Sequence, residues 1–183
     1  MDVLTATASR ANLFRLSRTA ILVAAALILF LFESAIPRPL PWLKPGLSNL
    51  ITVVALYLYG VRVAVAVSLL RVITGSLILG TLLNPIFLFG FGGAALSVLV
   101  MALAYTFFRH WFSVLGVSIL GAFTHNLVQL LLAAVLVVNR EQVLYLLPLM
   151  LLSSLFSGFL VGIFAHYIFK KATKFDVAPS EVQ

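Results

Sequence analysis

One arginine lies near the middle of a long apolar segment, residues 61–80. Arg71 cannot shed its charge, so within lipid its guanidinium must be paired, hydrated or used to bind something. A guanidinium holds a carboxylate or a phosphate through two hydrogen bonds, and this contact is strongest where water is excluded. Arg71 therefore predicts a site for an anion inside the apolar part of the protein.

Other polar side chains occur where a helical bundle could bring them toward Arg71. Glu33 lies near the outer end of the first apolar stretch, and it could instead pair with Arg71 and lock two helices together. His125, Asn126 and Gln129 form one polar sector by helical spacing. This sector indicates either ligand contacts or hydrogen bonds between helices, each worth about 0.6 kcal/mol in a membrane.

Further polar residues are expected at the outer end of the protein. Residues 37–46 include four prolines, so this segment is predicted to be a stiff loop. Its basic residues would favour an anionic ligand together with Arg71, and its tryptophan could cover an apolar part of that ligand. The candidate ligand contacts at this end are Arg38, Trp42, Lys44, Asn49 and Asn84. The sequence thus predicts an outward-open cavity with the proline-rich loop as its lid.

No group of residues in the chain matches a catalytic or metal-binding pattern. It has five acids and no Asp-Asp-x-x-Asp motif for a magnesium–diphosphate complex, no P-loop and no Gly-x-Ser-x-Gly motif. The absence of cysteine excludes thiol catalysis and cysteine-bound metals. His110 and His166 are predicted on the side away from His125, which disfavours a metal site. We expect no catalytic residue, no metal and no cofactor in this chain.

Helices that cross a membrane would have to position these residues. The chain of 183 residues is 63% hydrophobic and 9% charged, with a mean hydropathy of +1.18, whereas soluble domains carry about 25% charged residues. A crossing helix needs about 20 apolar residues. Six apolar stretches are predicted as helices: 19–36, 47–60, 61–80, 85–108, 112–138 and 142–169. The second is short, so we expect it to tilt little or to begin within the headgroup region.

The predicted fold is an all-α integral membrane bundle of six transmembrane helices. Residues 1–18 would form a basic cytoplasmic segment, residues 19–169 the membrane domain and residues 170–183 a polar cytoplasmic tail. With six crossings, one side collects both termini and eight of the 12 Lys and Arg residues, against three on the other side and Arg71 in the membrane. The positive-inside rule puts the richer side in the cytoplasm. The formal charge of +7 therefore reflects topology and does not indicate a partner nucleic acid.

Small residues indicate where helices could approach closely, because lipid gives no hydrophobic drive for association between helices. Ser154, Gly158 and Gly162 lie four residues apart on the last helix and favour packing inside the bundle. Ala20 and Ala24 have the same spacing on the first helix. For this pair, internal packing and the docking of another membrane subunit both stay open.

Three segments resemble the signature of a known family. They are residues 44–60 (KPGLSNLITVVALYLYG), 69–76 (LLRVITGS) and 121–129 (GAFTHNLVQ). They resemble the Gx transporter family, also called heptaprenyl diphosphate synthase component I, over about residues 20–169. The layout is also similar to that of the S components of energy-coupling-factor transporters, which have six helices, both ends in the cytoplasm and small residues on the first helix.

This resemblance implies a membrane protein that captures a small molecule from outside. It also implies that the face of Ala20 and Ala24 docks a coupling transmembrane subunit with ATPases. We therefore predict a substrate-binding uptake protein for a small anionic or isoprenoid-like compound, in the inner membrane of a prokaryote. One alternative, implied by the family's second name, is a non-catalytic membrane component that partners a prenyltransferase subunit. The other is a structural subunit of a larger complex, with Arg71 paired to Glu33.

Overall fold

The computed structural model describes residues 2–36, 46–136 and 145–174, with side chains from residue 12 onward. The described residues form six helices and no strand: α1 (Asp2–Ala35), α2 (Asn49–Tyr59), α3 (Val61–Ile78), α4 (Pro85–Phe107), α5 (Val114–Leu136) and α6 (Leu147–Lys174). A helix satisfies its backbone hydrogen bonds within one segment, which is what an apolar chain requires in lipid. The all-helical class predicted from the sequence is confirmed for these residues.

Five of these helices are long and apolar enough to cross a membrane. The shortest of the five, α3, has 18 residues and is about 27 Å long, close to the ~30 Å of a hydrocarbon core. α2 has 11 residues and is only about 16 Å long. The six predicted stretches therefore correspond to six helices in the described part of the chain, but the second is too short to cross alone.

The short helix α2 lies in the middle of the bundle. It packs against α1, α3, α5 and α6, while α3, α4, α5 and α6 pack against one another in chain order and α1 packs on α3. Seven of its 11 residues are buried, which is more than one face of a helix. This enclosure explains why most residues of α2 are apolar and why the helix has no exposed polar side.

Aromatic contacts bring several helix ends together at one end of the bundle. The ring of Tyr57 on α2 lies 5.0 Å from that of Tyr105 on α4 and 5.9 Å from that of Phe169 on α6. The guanidinium of Arg18 on α1 lies 4.1 Å above the ring of Tyr59. We call this the Tyr57 end. It carries Arg18 from the middle of α1 and the late part of α6, so these two segments lie at the same end.

Two local signals set how α3 and α4 begin. Gly60 separates α2 from α3 with a φ of 82°, a conformation that favours glycine. Because this single residue joins the two helices, α3 starts at the Tyr57 end. At the opposite end Pro85 occupies the first turn of α4, and the Asn84 side chain accepts a hydrogen bond from the Ile86 N–H at 3.0 Å. Both features are typical of a helix N-terminus.

The helix boundaries extend beyond the predicted membrane stretches. α1 begins at Asp2, so the basic segment predicted at residues 1–18 is helical and continuous with the first apolar stretch. α6 continues to Lys174, into the predicted tail, while residues 175–183 lie outside the described part. Gly158 and Gly162 lie against the backbone of α5, as the internal-packing interpretation of α6 requires.

Candidate functional site

Arg71 lies inside the protein, near the middle of α3. It is ten residues, or about 15 Å, from the start of α3 and about 10 Å from its end. Its side chain is only 2% exposed. One guanidinium nitrogen, Nη2, donates a hydrogen bond of 2.5 Å to Oδ1 of Asn49 at the start of α2. The other two nitrogens, Nε and Nη1, are buried and have no hydrogen-bond partner among the described residues.

Glu33 is fully buried on α1, and its carboxylate is used by the backbone that leads into α2. One carboxylate oxygen accepts a hydrogen bond from the Leu47 N–H, and the other accepts one from the Ser48 N–H at 3.3 Å. A carboxylate at this position satisfies backbone donors and is attracted by the positive end of the helix dipole. Glu33 therefore fastens α1 to the start of α2.

Arg71 and Glu33 line the same cavity but bond to different partners. The cavity has a volume of about 300 Å³, including its mouth, and the side chains leave room for about one water molecule. Its walls come from five helices and the turn before α2, and they consist of Phe30, Glu33, Gly46, Ser48, Asn49, Arg71, Val72, Gly90 and His125. We call it the Arg71 cavity. It contains a cation with unused donors, the Glu33 carboxylate and several other polar groups.

The three polar residues of α5, His125, Asn126 and Gln129, do not all face the cavity. His125 lines the Arg71 cavity, and its ring nitrogen Nε2 lies 3.1 Å from Nε2 of Gln129 one turn along α5. Gln129 is 1% exposed, and its Oε1 has no hydrogen-bond partner within the described ranges. The His125 ring is held beside α4, because a Cβ added at Gly93 would lie 3.0 Å from it. His125 therefore lines the cavity, and Gln129 contacts the His125 ring without lining the cavity itself.

Asn126 faces the opposite way and joins α5 to α6. Its Nδ2 donates to Oγ of Ser154 at 2.8 Å and to Oγ of Ser153 at 3.2 Å, and it lies 3.4 Å from the carbonyl oxygen of Met150. Asn126 does not line the Arg71 cavity. The geometry fits the alternative reading of this residue, a hydrogen bond between helices, better than a ligand contact.

The other residues predicted to contact the ligand either lie away from the Arg71 cavity or belong to residues that the structure does not describe. Asn84 is exposed and serves as the N-cap of α4. Arg38, Trp42 and Lys44 belong to residues 37–45, outside the described part of the chain. The predicted lid is therefore an expectation from the sequence alone.

Ala20 and Ala24 both lie on the exposed side of α1. They face away from the five other described helices. Large apolar side chains share this exposed side, including Ile21 and Ile28. The surface is therefore available to lipid or to another membrane protein, and the internal-packing interpretation of this pair does not fit the geometry.

Several residues that line the cavity have no polar or charged group by which the sequence could have identified them. Phe30, Val72 and Gly90 line it through shape alone. Phe30 precedes Glu33 by three residues and Val72 follows Arg71, so helical spacing could have suggested the first of them. Gly90 contributes by its missing side chain, because a Cβ there would lie 3.7 Å from Val72.

The described residues contain no group of three or more His, Cys, Asp or Glu side chains close enough to hold a metal ion. Arg71 offers charge-assisted donors to the cavity, and Asn49 and His125 add further polar groups.

The fold and the site together define a multi-pass helical membrane protein with a buried polar cavity. The family model for heptaprenyl diphosphate synthase component I matches residues 22–168, and the chain belongs to this family. The match spans the bundle from α1 to α6 and includes every residue of the Arg71 cavity. No curated protein and no solved structure gives a match.

Proposed function

We propose that this protein binds a small anion in the Arg71 cavity and takes it up from outside, in the manner of an S component. The proposal rests on one observation, the burial of Arg71 together with its incomplete hydrogen bonding. The guanidinium is 2% exposed, lies in a membrane-spanning helix and has two nitrogens without a hydrogen-bond partner in the described chain. Ionisable groups inside a membrane are rare and are functional by default.

The energetics favour a ligand as the missing partner. A buried donor without a partner costs about 1–3 kcal/mol, and more when the group is charged. Glu33 attracts the guanidinium electrostatically, but its oxygens bond to the Leu47 and Ser48 N–H groups. A carboxylate or phosphate could accept from Nε or from Nη1, in either case together with the remaining N–H of Nη2, because these are the two forked edges that a guanidinium presents. Anion binding would therefore stabilise the folded protein.

The position of the cavity supports entry from outside. Arg71 and Gly90 lie closer to the end opposite the Tyr57 end, since α3 ends and α4 begins there. The Tyr57 end carries Arg18, Arg62, Arg109 and the lysines of α6. The positive-inside rule assigns such an end to the cytoplasm, with both termini there. On this orientation the protein lies in the inner membrane of a prokaryote, with its cavity toward the outside.

Energy for uptake would come from a partner. The exposed Ala20–Ala24 face of α1 allows close approach of another helix, which is what docking inside lipid requires. We propose it as the contact for a coupling transmembrane subunit that carries ATPases.

Thermal unfolding of the purified protein in detergent tests the binding proposal. Inorganic phosphate, diphosphate, acetate and butyrate serve as probes. At one hundred times its Kd, a probe that binds only the folded state adds about 2.7 kcal/mol of stability. The variant Arg71→Met should lose this gain completely.

The control variant is Arg62→Ala, which removes an exposed arginine from the same helix. It should keep the full response to the probe. The proposal fails if none of these anions stabilises the wild type, or if Arg71→Met responds as the wild type does. Destabilisation by Arg71→Met without any ligand effect would favour the structural role of Arg71.

The family match favours a second candidate function, a non-catalytic membrane component of a prenyl diphosphate synthase. In this role the protein would hold a soluble catalytic subunit at the membrane and present an isoprenoid-like substrate to it. The acidic magnesium ligands for the chemistry would come from that partner, since this chain carries only five acids in all.

Co-expression with a prenyl diphosphate synthase subunit from the same source tests this candidate. We expect stable co-purification and a product chain length that differs from that of the catalytic subunit alone. Arg71→Met should leave co-purification intact, because Arg71 is buried inside the bundle. Absence of association together with an unchanged product would remove the candidate.

A further inference from the structure

A second cavity lies beside the start of α2 and shares part of its wall with the Arg71 cavity. It has a volume of about 190 Å³, including its mouth. Its walls are Gly46, Asn49, Met101, Ser118, Ala122, Ser157, Gly158 and Val161. We call it the Ser118 cavity. Gly46 and Asn49 line both cavities, so the start of α2 stands between them.

Ser118 gives this second cavity an unused polar group. Its side chain is 3% exposed, and its Oγ has no hydrogen-bond partner among the described residues. Two other buried serines have partners: Ser97 donates to the Gly121 carbonyl at 2.8 Å, and Ser154 donates to the Met150 carbonyl at 2.7 Å. A buried hydroxyl without a partner carries a desolvation cost that a ligand group could remove.

The boundary between the cavities is built from small or polar groups. Asn49 directs Oδ1 to Arg71. Gly46 has no side chain, and a Cβ there would lie 3.8 Å from Oγ of Ser157 and 4.0 Å from Nδ2 of Asn49. Its φ of 80° also disfavours any other residue. Gly46 and Asn49 therefore leave the boundary between the two cavities without a bulky side chain.

We propose that the two cavities form one two-lobed site. It would bind a small anion that carries a short, mainly apolar arm ending in a hydroxyl or carbonyl group. The charged group lies against Arg71, the arm lies among Met101, Ala122 and Val161, and the terminal polar group bonds to Ser118. This inference rests on the proposed binding function and narrows its substrate class.

The volumes limit the length of the arm. The volumes of about 300 and 190 Å³ include open space at the mouths, and in each lobe the side chains leave room for about one water molecule. The arm is therefore at most a chain of a few carbon atoms, and the side chains around it would have to shift to admit it. A full-length polyprenyl chain is much larger than these two lobes.

Two matched series of probes test the inference by titration of the detergent-purified protein. One is inorganic phosphate, butyl phosphate and 4-hydroxybutyl phosphate, and the other is acetate, pentanoate and 5-hydroxypentanoate. In the series that binds, affinity should increase when the arm is added and again when the hydroxyl is added. One hydrogen bond corresponds to about a three- to tenfold gain in affinity.

Ser118→Ala should remove the gain from the hydroxyl and leave the affinity for the parent anion unchanged. Ser118→Leu should also remove the gain from the arm, because the larger side chain fills the second lobe. Ser97→Ala is the matched control, because it deletes a hydroxyl that already donates to the Gly121 carbonyl on α5. It should lower thermal stability without changing the order of the probe affinities. Since Ser118→Ala removes an unsatisfied group, it should fold as well as the wild type.

The outcomes separate this inference from the proposed function. If the parent anion binds but the arm brings no gain, or if Ser118→Ala keeps the preference for the hydroxyl, the two-lobed site is wrong and anion binding stands. If no member of either series binds to the wild type, both the proposed function and the two-lobed site are wrong.

Discussion

At the scale of single residues, Arg71 and Glu33 line the same cavity but form hydrogen bonds with different groups. Two opposite charges in one cavity would be expected to pair, since a buried pair offsets part of the desolvation cost. Instead Arg71 donates to Asn49, and Glu33 accepts from the Leu47 and Ser48 N–H groups. The carboxylate is occupied by backbone donors, which leaves the guanidinium with free hydrogen-bonding capacity toward the cavity.

Removing the Glu33 carboxylate should loosen the start of α2. Glu33→Ala leaves two buried backbone N–H groups without acceptors, at a cost of about 2–3 kcal/mol in the free energy of unfolding. Glu33→Gln keeps one acceptor oxygen and should cost less. Thermal unfolding in detergent should therefore rank the wild type above Glu33→Gln, and Glu33→Gln above Glu33→Ala. An alanine variant as stable as the wild type would show that Glu33 does not hold α2.

At the scale of helices, the decisive element is α2. Its 11 residues reach from the Tyr57 end to the level of Arg71, so the start of this helix lies deep within the bundle. A helix start exposes backbone N–H groups that cannot stay unsatisfied in an apolar interior. Glu33 satisfies two groups of the preceding turn. This arrangement places polar backbone, Asn49 and Arg71 together at one depth.

The contact between α5 and α6 depends on two glycines of α6. A Cβ added at Gly158 would lie 2.7 Å from Cα of Ile119, and one at Gly162 would lie 2.9 Å from Cα of Leu115. These contacts involve backbone atoms, so the helices would have to separate. Gly158→Ala should therefore lower the free energy of unfolding by about 1–3 kcal/mol, measured by thermal or denaturant unfolding in detergent.

Gly90→Ala provides the comparison for Gly158→Ala. Its nearest neighbour would be Val72 at 3.7 Å, an ordinary van der Waals contact, and alanine favours a helix by about 1 kcal/mol over glycine. It should be neutral or stabilising. Equal effects of the two substitutions would mean that helix propensity, rather than close packing of α5 on α6, controls stability at these positions.

At the scale of the whole molecule, the two ends differ in charge and in aromatic content. The Tyr57 end combines ring contacts of Tyr57 and Tyr105 with the arginines Arg18 and Arg109, which stack on tyrosines. Aromatic and basic side chains together are typical of a membrane interface. Asn84 and the exposed Leu83 lie at the opposite end, which has no basic residue in the described α3–α4 connection.

Cysteine labelling in whole bacterial cells tests this orientation, since the chain has no cysteine of its own. Leu83→Cys should react with a membrane-impermeant maleimide added outside. Arg109→Cys and Thr173→Cys should react only after the cells are opened. All three positions are exposed, so access to the reagent depends on the side of the membrane. The reverse pattern would put the termini outside and overturn the predicted topology.

Hydropathy, spacing and short motifs were enough to predict the class of the protein and to identify Arg71. Hydropathy predicted an all-helical membrane bundle because lipid forces each apolar stretch to satisfy its backbone internally. A charge within such a stretch indicated Arg71, and the motifs around Arg71 and His125 indicated the family that the profile match shows. These conclusions need only local composition and spacing.

Only the tertiary structure decided which polar groups share the cavity. Helical spacing put His125, Asn126 and Gln129 in one sector, yet His125 turns to the cavity while Asn126 bonds to Ser154 on α6. Similarly, Glu33 bonds to the turn before α2 because the short helix starts beside it. Spacing along a helix fixes the face on which a residue lies, but the neighbouring helix determines its partner. The pairing of long-range neighbours depends on packing, which local sequence does not encode.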